Sequence, residues 1–555
     1  MVENSGFAAS YGGSEIGTAG NDLGGRAISE AGSSARPSWG IRWVPWLWTT
    51  RIRILFVIDG RITMERGKYD FGLGLVLDTL LDPAFAWWVR FDVEVGVREP
   101  NGFRFTQDGF DINDYDQVWF FGDQPGEDAN KLPGMGGVGD DAIGESKYTP
   151  LGDDELGIVA RWMRDEGGGV FAAGDHSLLG ASMCHRIPRV RTMRKWTYAQ
   201  GVPPFAGADR NETLQHLVNV TALEEESDRY PQRIFPVYRQ DPDSPIIPRL
   251  YPHPLLCGHE GVIDRFPDHM HEGSVIEDDE VELNKPLGIP GFSGPEYPTA
   301  VPSGSRPRPQ VIAYGLTTHS SLGPRRFPLI SVYDGDPVSI GRVVVDSTWH
   351  HWFSMNLVGL RGMAPVFYRG MQDYYRNVAL WLSSPAQRAS MLFGATWGAL
   401  VGVHPGAFDA ALGMWGLGER VVDVIGQSAP QCILDELVLT LLRTGAPSVN
   451  QQGSRLQPPQ RMINEIMVGS IAMRLVGLSQ HHLVEHARGR STQLDRDAIR
   501  EQCRLGAADG IRALSDALAE GEVRFKALRE DLQAVPGPEL LDGLSVDLPV
   551  EEPTD

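Results

Sequence analysis

The chain has 555 residues, a length that suits about three or four domains of ordinary size and at least one large buried core. Its 50 Lys and Arg residues stand against 72 Asp and Glu residues, so the formal charge is −22 and a nucleic-acid binder driven by electrostatic attraction is disfavoured. The four cysteines are far apart in the sequence and form no C-x-x-C pair, which argues against a zinc ribbon and favours a reducing compartment. They are Cys184, Cys257, Cys432 and Cys503. The first residues lack the charged and apolar regions of a signal peptide, so we expect a cytoplasmic protein.

Both ends of the chain have the composition of unstructured segments. Residues 1–40 hold nine Gly and seven Ser with few apolar residues, and such a segment cannot bury enough surface to offset the entropy lost on ordering. We therefore expect a disordered leader there. Residues 536–555 are acidic and are expected to form a frayed tail.

Residues 41–384 show the alternation of strands and helices that is typical of an α/β domain. Strands are expected at 51–59, 91–97, 117–121 and 169–173, and helices at 71–81 and 153–165. This order predicts a doubly wound parallel sheet with helices on both faces. Residues 198–310 are rich in Pro, Asp and Glu and predict a long insertion. Further strands are expected at 311–316, 328–333 and 342–345, and a helix at 366–382.

Residues 385–535 predict an all-helical domain with a possible duplicated unit, because Pro385–Gly402 and Pro458–Gly477 share a Pro-x-Gln-Arg start and a Leu-Val-Gly end. The first segment spaces its glycines every fourth residue, at Gly394, Gly398, Gly402 and Gly406. Such spacing is typical either of membrane helices or of a closely packed soluble helix pair. Arg474 lies in the middle of the second segment and favours the soluble pair. We expect self-association or partner binding through this domain, with no membrane insertion.

Three short stretches carry a resemblance to a known family. They are the opening strand Ile54–Asp59, the strand and turn Gly168–His176, and the closing segment Gly341–His351. Residues 51–382 resemble the class I glutamine amidotransferase-like superfamily, and within it the trehalose-utilisation-type proteins. The resemblance implies a flavodoxin-like fold and a histidine after the last strand, where His350 stands.

The cysteine nucleophile of that family is missing at the expected turn. Aligning the turn places Gly174 at the nucleophile position, and Cys184 lies ten residues further on, about two and a half helical turns away. We therefore expect no glutamine hydrolysis by the cysteine mechanism.

Ionisable residues follow several of the predicted strands, at the edge where parallel sheets bind their ligands. They are Asp59, Asp123, Asp175 with His176, and Asp346 with His350 and His351. Asp175, His176, His350 and Asp346 are the candidate catalytic residues, and the resemblance assigns the functional role to His350 and a packing role to His351. The alternative is that Asp59 and Asp175 only cap helices or form turns.

A metal site is expected within the insertion. His269 and His271 alternate, so both imidazoles face the same side of an extended segment, and Glu272 or Asp268 completes a ligand set suited to Zn, Mn or Fe. The alternative is an ordinary surface loop that happens to be rich in histidine.

A basic run at residues 185–195 is a candidate anion site, in which Arg189 and Arg191 would bind phosphate or carboxylate. The alternative is a solvated loop that compensates the acidic residues 276–282.

These features predict a metal-assisted hydrolase or lyase that acts on a small polar substrate, and we expect that substrate to be anionic. The alternative function is a catalytically inactive sensor or scaffold whose helical domain binds partners.

Overall fold

The structure is a computed structural model that describes most of the chain between residues 49 and 534. The described ranges are 49–67, 71–125, 148–174, 178–197, 200, 232–240, 250–267, 273–301, 303–317, 325–348, 350–402, 413–445, 460–487 and 496–534. The expected leader and acidic tail lie outside these residues.

An eight-stranded sheet forms the centre of the molecule. Its strands are β1 (Thr50–Asp59), β2 (Val89–Arg98), β3 (Gln117–Gly122), β4 (Gly169–Gly174), β5 (Phe235–Pro236), β6 (Gln310–Thr317), β7 (Arg325–Tyr333) and β8 (Val343–Asp346). Their spatial order is β2-β1-β3-β4-β8-β7-β6-β5. The first five strands in this order are parallel to one another, and the last three pair antiparallel.

The mixed α/β architecture with a mostly parallel sheet is confirmed, but the antiparallel edge was not predicted from the sequence. The chain between β6 and β7 covers only residues 318–324, and that between β7 and β8 covers residues 334–342. A parallel neighbour needs a crossover of about a dozen residues or more. These short connections therefore turn the chain back on itself.

Eleven helices lie in the described residues. They are α1 (Gly74–Leu81), α2 (Asp153–Asp165), α3 (Ala181–Cys184), α4 (Val190–Met193), α5 (Ser354–Met363), α6 (Pro365–Leu382), α7 (Pro385–Gly402), α8 (Met414–Ile425), α9 (Gln431–Gly445), α10 (Gln460–Ala487) and α11 (Arg496–Ala534). In the described parts of the insertion the strands have two residues each. They pair 232–233 with 265–266, 239–240 with 250–251, and 257–258 with 261–262, while β5 joins the sheet.

Side chains alternate between the two faces of the sheet and build two cores. Leu55 and Val57 face one core, which includes Trp162 of α2. On the opposite face, Phe56 stacks on Trp119 with ring centroids 5.3 Å apart, and Trp119 meets Trp352 at 5.8 Å. Because both faces are buried, the central strands β3, β4 and β8 have nearly continuous apolar sequences, whereas the edge strand β2 alternates with exposed charged residues.

The C-terminal helices pack directly on the α/β part of the chain. The hydroxyl of Thr50 in β1 donates to that of Ser390 in α7 at 3.0 Å. Arg342, just before β8, donates to Glu436 of α9 at 2.7 Å and is 1% exposed. A Cβ added at Gly398 would lie 2.0 Å from Nε1 of Trp87, so α7 approaches the segment before β2 very closely.

Cys257 and Cys432 form a disulfide, which corrects the expectation drawn from the spacing of the cysteines. Their Cα atoms are 6.3 Å apart although 175 residues separate them in the sequence. Spacing along the chain gives no signal for such a long-range pair. Since disulfides are rare in cytosolic proteins, the cysteine argument for a cytoplasmic location loses its support.

One stretch, Gln460–His481 of α10, is long and apolar enough to cross a membrane by length and composition alone. Its mean hydropathy is 1.3 and 56% of the tested window is buried inside the structure, as in the core helix of a globular protein. Gly469 of α10 packs closely against Met414 of α8. A Cβ added at Gly469 would lie 2.2 Å from the carbonyl oxygen of Met414.

Candidate functional site

Two groups of ionisable side chains lie at the carboxyl edge of the parallel strands, where such sheets bind ligands. We call the first the Asp59 cluster, which comprises Asp59, Asp123 and Gln124. We call the second the Asp346 network, which comprises Asp346, His351, Trp352 and Tyr374.

The Asp59 cluster lies where β1 and β3 end. Oδ1 of Asp59 accepts hydrogen bonds from the backbone N–H groups of Asp123 at 2.5 Å and Gln124 at 3.2 Å. Asp123 forms an ion pair with Arg61 at 3.1 Å, in which the Arg61 side chain is 64% exposed and that of Asp123 only 5%. Asp59 itself is fully buried.

Burial raises the pKa of Asp59 to about 7. The two backbone hydrogen bonds oppose this shift by favouring the carboxylate, whereas the negative charge of Asp123 adds to it. Asp59 therefore exchanges its proton near neutral pH, which is the property required of a general acid or base.

Gly174 ends β4 and has no room for a side chain, at the position that the resemblance aligns with the cysteine nucleophile. A Cβ added at Gly174 would lie 2.7 Å from the Trp196 ring and 2.8 Å from the Leu179 carbonyl oxygen. The guanidinium of Arg194 covers Trp196 at 4.2 Å and donates to the Gly174 carbonyl at 3.0 Å. This crowding fits a glycine and disfavours a cysteine.

Cys184 ends the short helix α3 and is completely buried. Burial, together with the charge of Asp59, raises the pKa of its thiol well above the ordinary value. A thiol held in this form is a poor nucleophile. Cys184 therefore does not supply the missing cysteine.

The Asp346 network lies at the end of β8 and is completely buried. Oδ2 of Asp346 is 2.9 Å from Nε2 of His351 and accepts from the Tyr374 hydroxyl at 3.0 Å and the Trp352 indole at 3.4 Å. Burial raises the pKa of Tyr374 well above its usual value, and the neighbouring Asp346 carboxylate adds to the shift. Tyr374 therefore remains a hydrogen-bond donor.

His351 was expected to serve packing, and its completely buried ring fits that role while it also reaches Asp346; the functional role expected for His350 stays a prediction. The ring of His351 also stacks on Phe266, with centroids 4.2 Å apart. Nδ1 of His351 is buried and has no hydrogen-bond partner among the described residues. His350 lies in the same short 3-10 turn, His350–Trp352, and is half-buried.

The two groups are too far apart to act on one atom. In the register of the sheet, Asp346 of β8 pairs with Ala173 of β4, and Ala173 pairs with Phe121 of β3. Phe121 pairs with Ile58 of β1, the residue before Asp59. Three strand spacings therefore separate Asp346 from the end of β1, or about 14 Å.

Six of the candidate residues lie outside the described residues. They are Asp175, His176, Asp268, His269, His271 and Glu272. Of the described residues near 268–272, Phe266 stacks on His351 of the Asp346 network, and the backbone of Gly273 packs against the carbonyl of Ser347, which follows Asp346 in the chain. Within the described residues, no group of three or more His, Cys, Asp or Glu side chains has the arrangement of a metal site.

Arg189 and Arg191 bind a carboxylate of the protein itself. Glu296 is completely buried and accepts hydrogen bonds from the Arg189 backbone N–H at 2.8 Å and from Nε of Arg191. Nη2 of Arg191 donates further to the Leu287 carbonyl at 2.9 Å. These contacts tie the basic run to the insertion, and the partner is Glu296 rather than the acidic residues 276–282.

Tyr374 and Gln124 were not singled out from the sequence. Tyr374 lies within α6, and a tyrosine on an apolar helix carries no signal that distinguishes a hydrogen-bond donor from a core residue. Gln124 follows Asp123 after β3, and its position beyond a strand end was the available signal.

Comparison with known protein families, curated proteins and solved structures finds no match for this chain.

Proposed function

We propose that the chain is a metal-assisted hydrolase or lyase that acts on a small polar substrate at the carboxyl edge of the sheet. The observation that carries this proposal is the buried pair of Asp346 and His351, 2.9 Å apart at the end of the last parallel strand. A carboxylate that holds an imidazole in this way is the usual support of a general base.

Within the proposed mechanism, Asp346 fixes the orientation and tautomer of His351. Its carboxylate accepts a hydrogen bond from the N–H group of Nε2, so the lone pair of Nδ1 is the group that takes a proton from substrate or water. Tyr374 and Trp352 donate hydrogen bonds to the same carboxylate oxygen of Asp346, and these bonds stabilise its ionised form. A proton accepted by Nδ1 is then stabilised by the nearby Asp346 charge.

A divalent metal such as Zn, Mn or Fe is part of the proposal, with His269, His271 and Glu272 as its ligands. The chain enters and leaves this segment beside the Asp346 network, through Phe266 and Gly273, and this supports the assignment. A metal held there would polarise a substrate oxygen or supply hydroxide.

An anionic substrate is the remaining part of the proposal. Arg189 and Arg191 stay the proposed ligands of the anion, and Glu296, which accepts from the Arg189 backbone N–H and from Nε of Arg191, shows that this segment already binds a carboxylate. Charge-assisted hydrogen bonds from guanidinium groups suit phosphate and carboxylate.

We also propose that residues 51–382 have a flavodoxin-like fold and are related to the amidotransferase-like superfamily without its glutaminase activity. The order β2-β1-β3-β4-β8 of the parallel strands supports this, since flavodoxin-like sheets have the order 2-1-3-4-5. The crowded glycine at position 174 supports the absence of the cysteine mechanism.

The test combines metal analysis with an activity screen on full-length protein purified without chelators. We expect bound transition metal that is lost in His269→Ala and His271→Ala. We also expect turnover of at least one class among phosphate esters, carboxylate esters and amides. His351→Gln should abolish that turnover in protein whose circular dichroism spectrum shows that it is folded, and the exposed control His481→Gln should leave turnover unchanged.

A sensor or scaffold is the second candidate, and complete burial of Asp346, His351 and Tyr374 favours it. Such a protein would bind a small molecule without turnover. Absence of both metal and turnover, with His351→Gln changing only stability, would establish this function in place of the first.

A further inference from the structure

The Asp59 cluster carries oxygen atoms that the fold leaves without partners. Oδ1 of Asp59 takes two backbone hydrogen bonds, but Oδ2 is buried and has no hydrogen-bond partner among the described residues. Oε1 of Gln124 is in the same state, and Gln124 is 3% exposed. Buried oxygens without donors are costly in a folded protein, so two of them on side chains of the same cluster point to a missing electropositive group.

The side chains of Asp123 and Gln124 converge over Gly60, which lies between β1 and Arg61. A Cβ added at Gly60 would be 2.5 Å from Oδ2 of Asp123 and 2.6 Å from Nε2 of Gln124. Gly60 has φ of +61°, a conformation that glycine adopts easily, and because it has no side chain the Asp123 and Gln124 side chains can occupy this space. The glycine therefore lets these two side chains approach the end of β1.

We propose that Asp59, Asp123 and Gln124 form a binding site for a hard divalent cation, Mg²⁺ or Ca²⁺. Carboxylate and amide oxygens are the ligands that these ions prefer, and the cluster contains no imidazole or thiolate ligand. A cation there gives Oδ2 of Asp59 and Oε1 of Gln124 the positive partner that the described residues do not provide.

Arg61 is the existing positive partner of Asp123 and defines the solvent side of this site. Its side chain is largely exposed, and it also lies over the Phe71 ring at 4.8 Å. An exposed arginine of this kind is held weakly and is screened by salt. A divalent ion that binds both carboxylates therefore displaces it from Asp123 or shares that side chain with it.

This site differs from the transition-metal site of the proposed function in its ligands, because it uses none of His269, His271 and Glu272. The two ligand sets also suit different ions. Either site can therefore be absent while the other is present, and the experiment must be able to report each alone.

The test is calorimetric titration of the full-length protein with MgCl₂ and with CaCl₂ after removal of bound metal. It is done on wild type and on the His269→Ala, His271→Ala double variant, which removes the proposed transition-metal ligands. We expect one Mg²⁺ or Ca²⁺ site in both proteins. Asp59→Asn and Gln124→Met should each weaken binding about tenfold or more, whereas the exposed control Glu280→Gln should leave it unchanged.

Terbium luminescence, competed with Ca²⁺, gives a second measurement on wild type and does not depend on any variant folding. Circular dichroism and a thermal melt check the fold of each variant. The proposal is overturned if neither ion binds wild type at up to about 10 mM, beyond the weakest natural calcium sites. It is equally overturned if both ligand variants bind as wild type does, and Asp59 is then simply a buried neutral carboxyl.

Discussion

Asp59 shows how one buried carboxyl links the fold to pH. Its pKa is raised to about 7 by burial, while an aspartate in the unfolded chain titrates near 3.9. The folded state therefore holds this proton more tightly, and its stability falls as pH rises from about 4 to 7. Above about pH 7 both states have lost this proton, so Asp59 lowers the stability of the folded state no further.

Asp59→Asn should remove this loss, because asparagine keeps the oxygen that accepts the two backbone hydrogen bonds and carries no charge. We expect the stability difference between variant and wild type to grow by a few kcal/mol between pH 4.5 and pH 8 in the variant's favour. Urea unfolding in EDTA at these two pH values measures it. Parallel pH profiles for the two proteins would show that Asp59 titrates normally.

His351 shows where reasoning from single residues stops. The sequence places two histidines after the last parallel strand, and nothing in their order tells which ring turns inward. The choice depends on Phe266 and Tyr374, which come from the insertion and from α6 and pack around the ring of His351. The sequence therefore predicts where the turn after the last parallel strand lies, but tertiary packing determines that the His351 ring is the one that points inward.

At the scale of elements, local rules predicted the helices and strands well where the sequence itself contains the boundary signals. The helix expected at 153–165 is α2, Asp153–Asp165, whose first turn holds three acidic residues and whose Glu155 accepts from the Gly152 N–H at 3.0 Å. The antiparallel edge and the Cys257–Cys432 pair were missed because each depends on residues that are distant in sequence or on connection length.

A buried ionic network joins the sheet to the C-terminal helices, and it predicts a large effect from one neutralised charge. Arg342 contacts Asp334, Asp336 and Glu436 at 2.9, 2.9 and 2.7 Å. Glu436→Gln leaves Arg342 short of a buried counter-charge, so the free energy of unfolding should fall by about 3–5 kcal/mol. The control is Glu419→Gln, whose pair with Arg461 is exposed and worth about 1 kcal/mol or less. Equal effects in urea unfolding would contradict the network's importance.

Two helix glycines make a matched test of close packing. A Cβ at Gly398 of α7 would collide with Trp87, whereas one at Gly477 of α10 would meet no atom within 4 Å. Gly398→Ala should lower stability by about 1–3 kcal/mol, while Gly477→Ala should raise it by up to about 1 kcal/mol through helix propensity. Thermal or urea unfolding of the two variants measures the difference. The same sign for both would show that Trp87 moves aside freely.

At the scale of the whole molecule, the helical region is held to the α/β part more firmly than its sequence indicated. The predicted division at residue 384 follows a change in composition, yet all described residues fall within one compact unit, Pro45–Asp555. Composition reports how a segment folds locally. It does not report the buried ion pairs, the Trp87 contact or the disulfide that cross the division.

The disulfide gives the last prediction, because it joins the insertion to α9 across a long loop. Closing a loop of 175 residues restricts the unfolded chain, so reduction should lower the free energy of unfolding by about 2–5 kcal/mol. Thermal melts with and without a reductant measure this, and a Cys257→Ser, Cys432→Ser double variant serves as the control that reductant should leave unchanged. Alkylation of the unfolded but unreduced protein should modify the free thiols of Cys184 and Cys503 alone. Modification of Cys257 and Cys432 in that experiment would mean that the two thiols are adjacent but unbonded in the protein as purified.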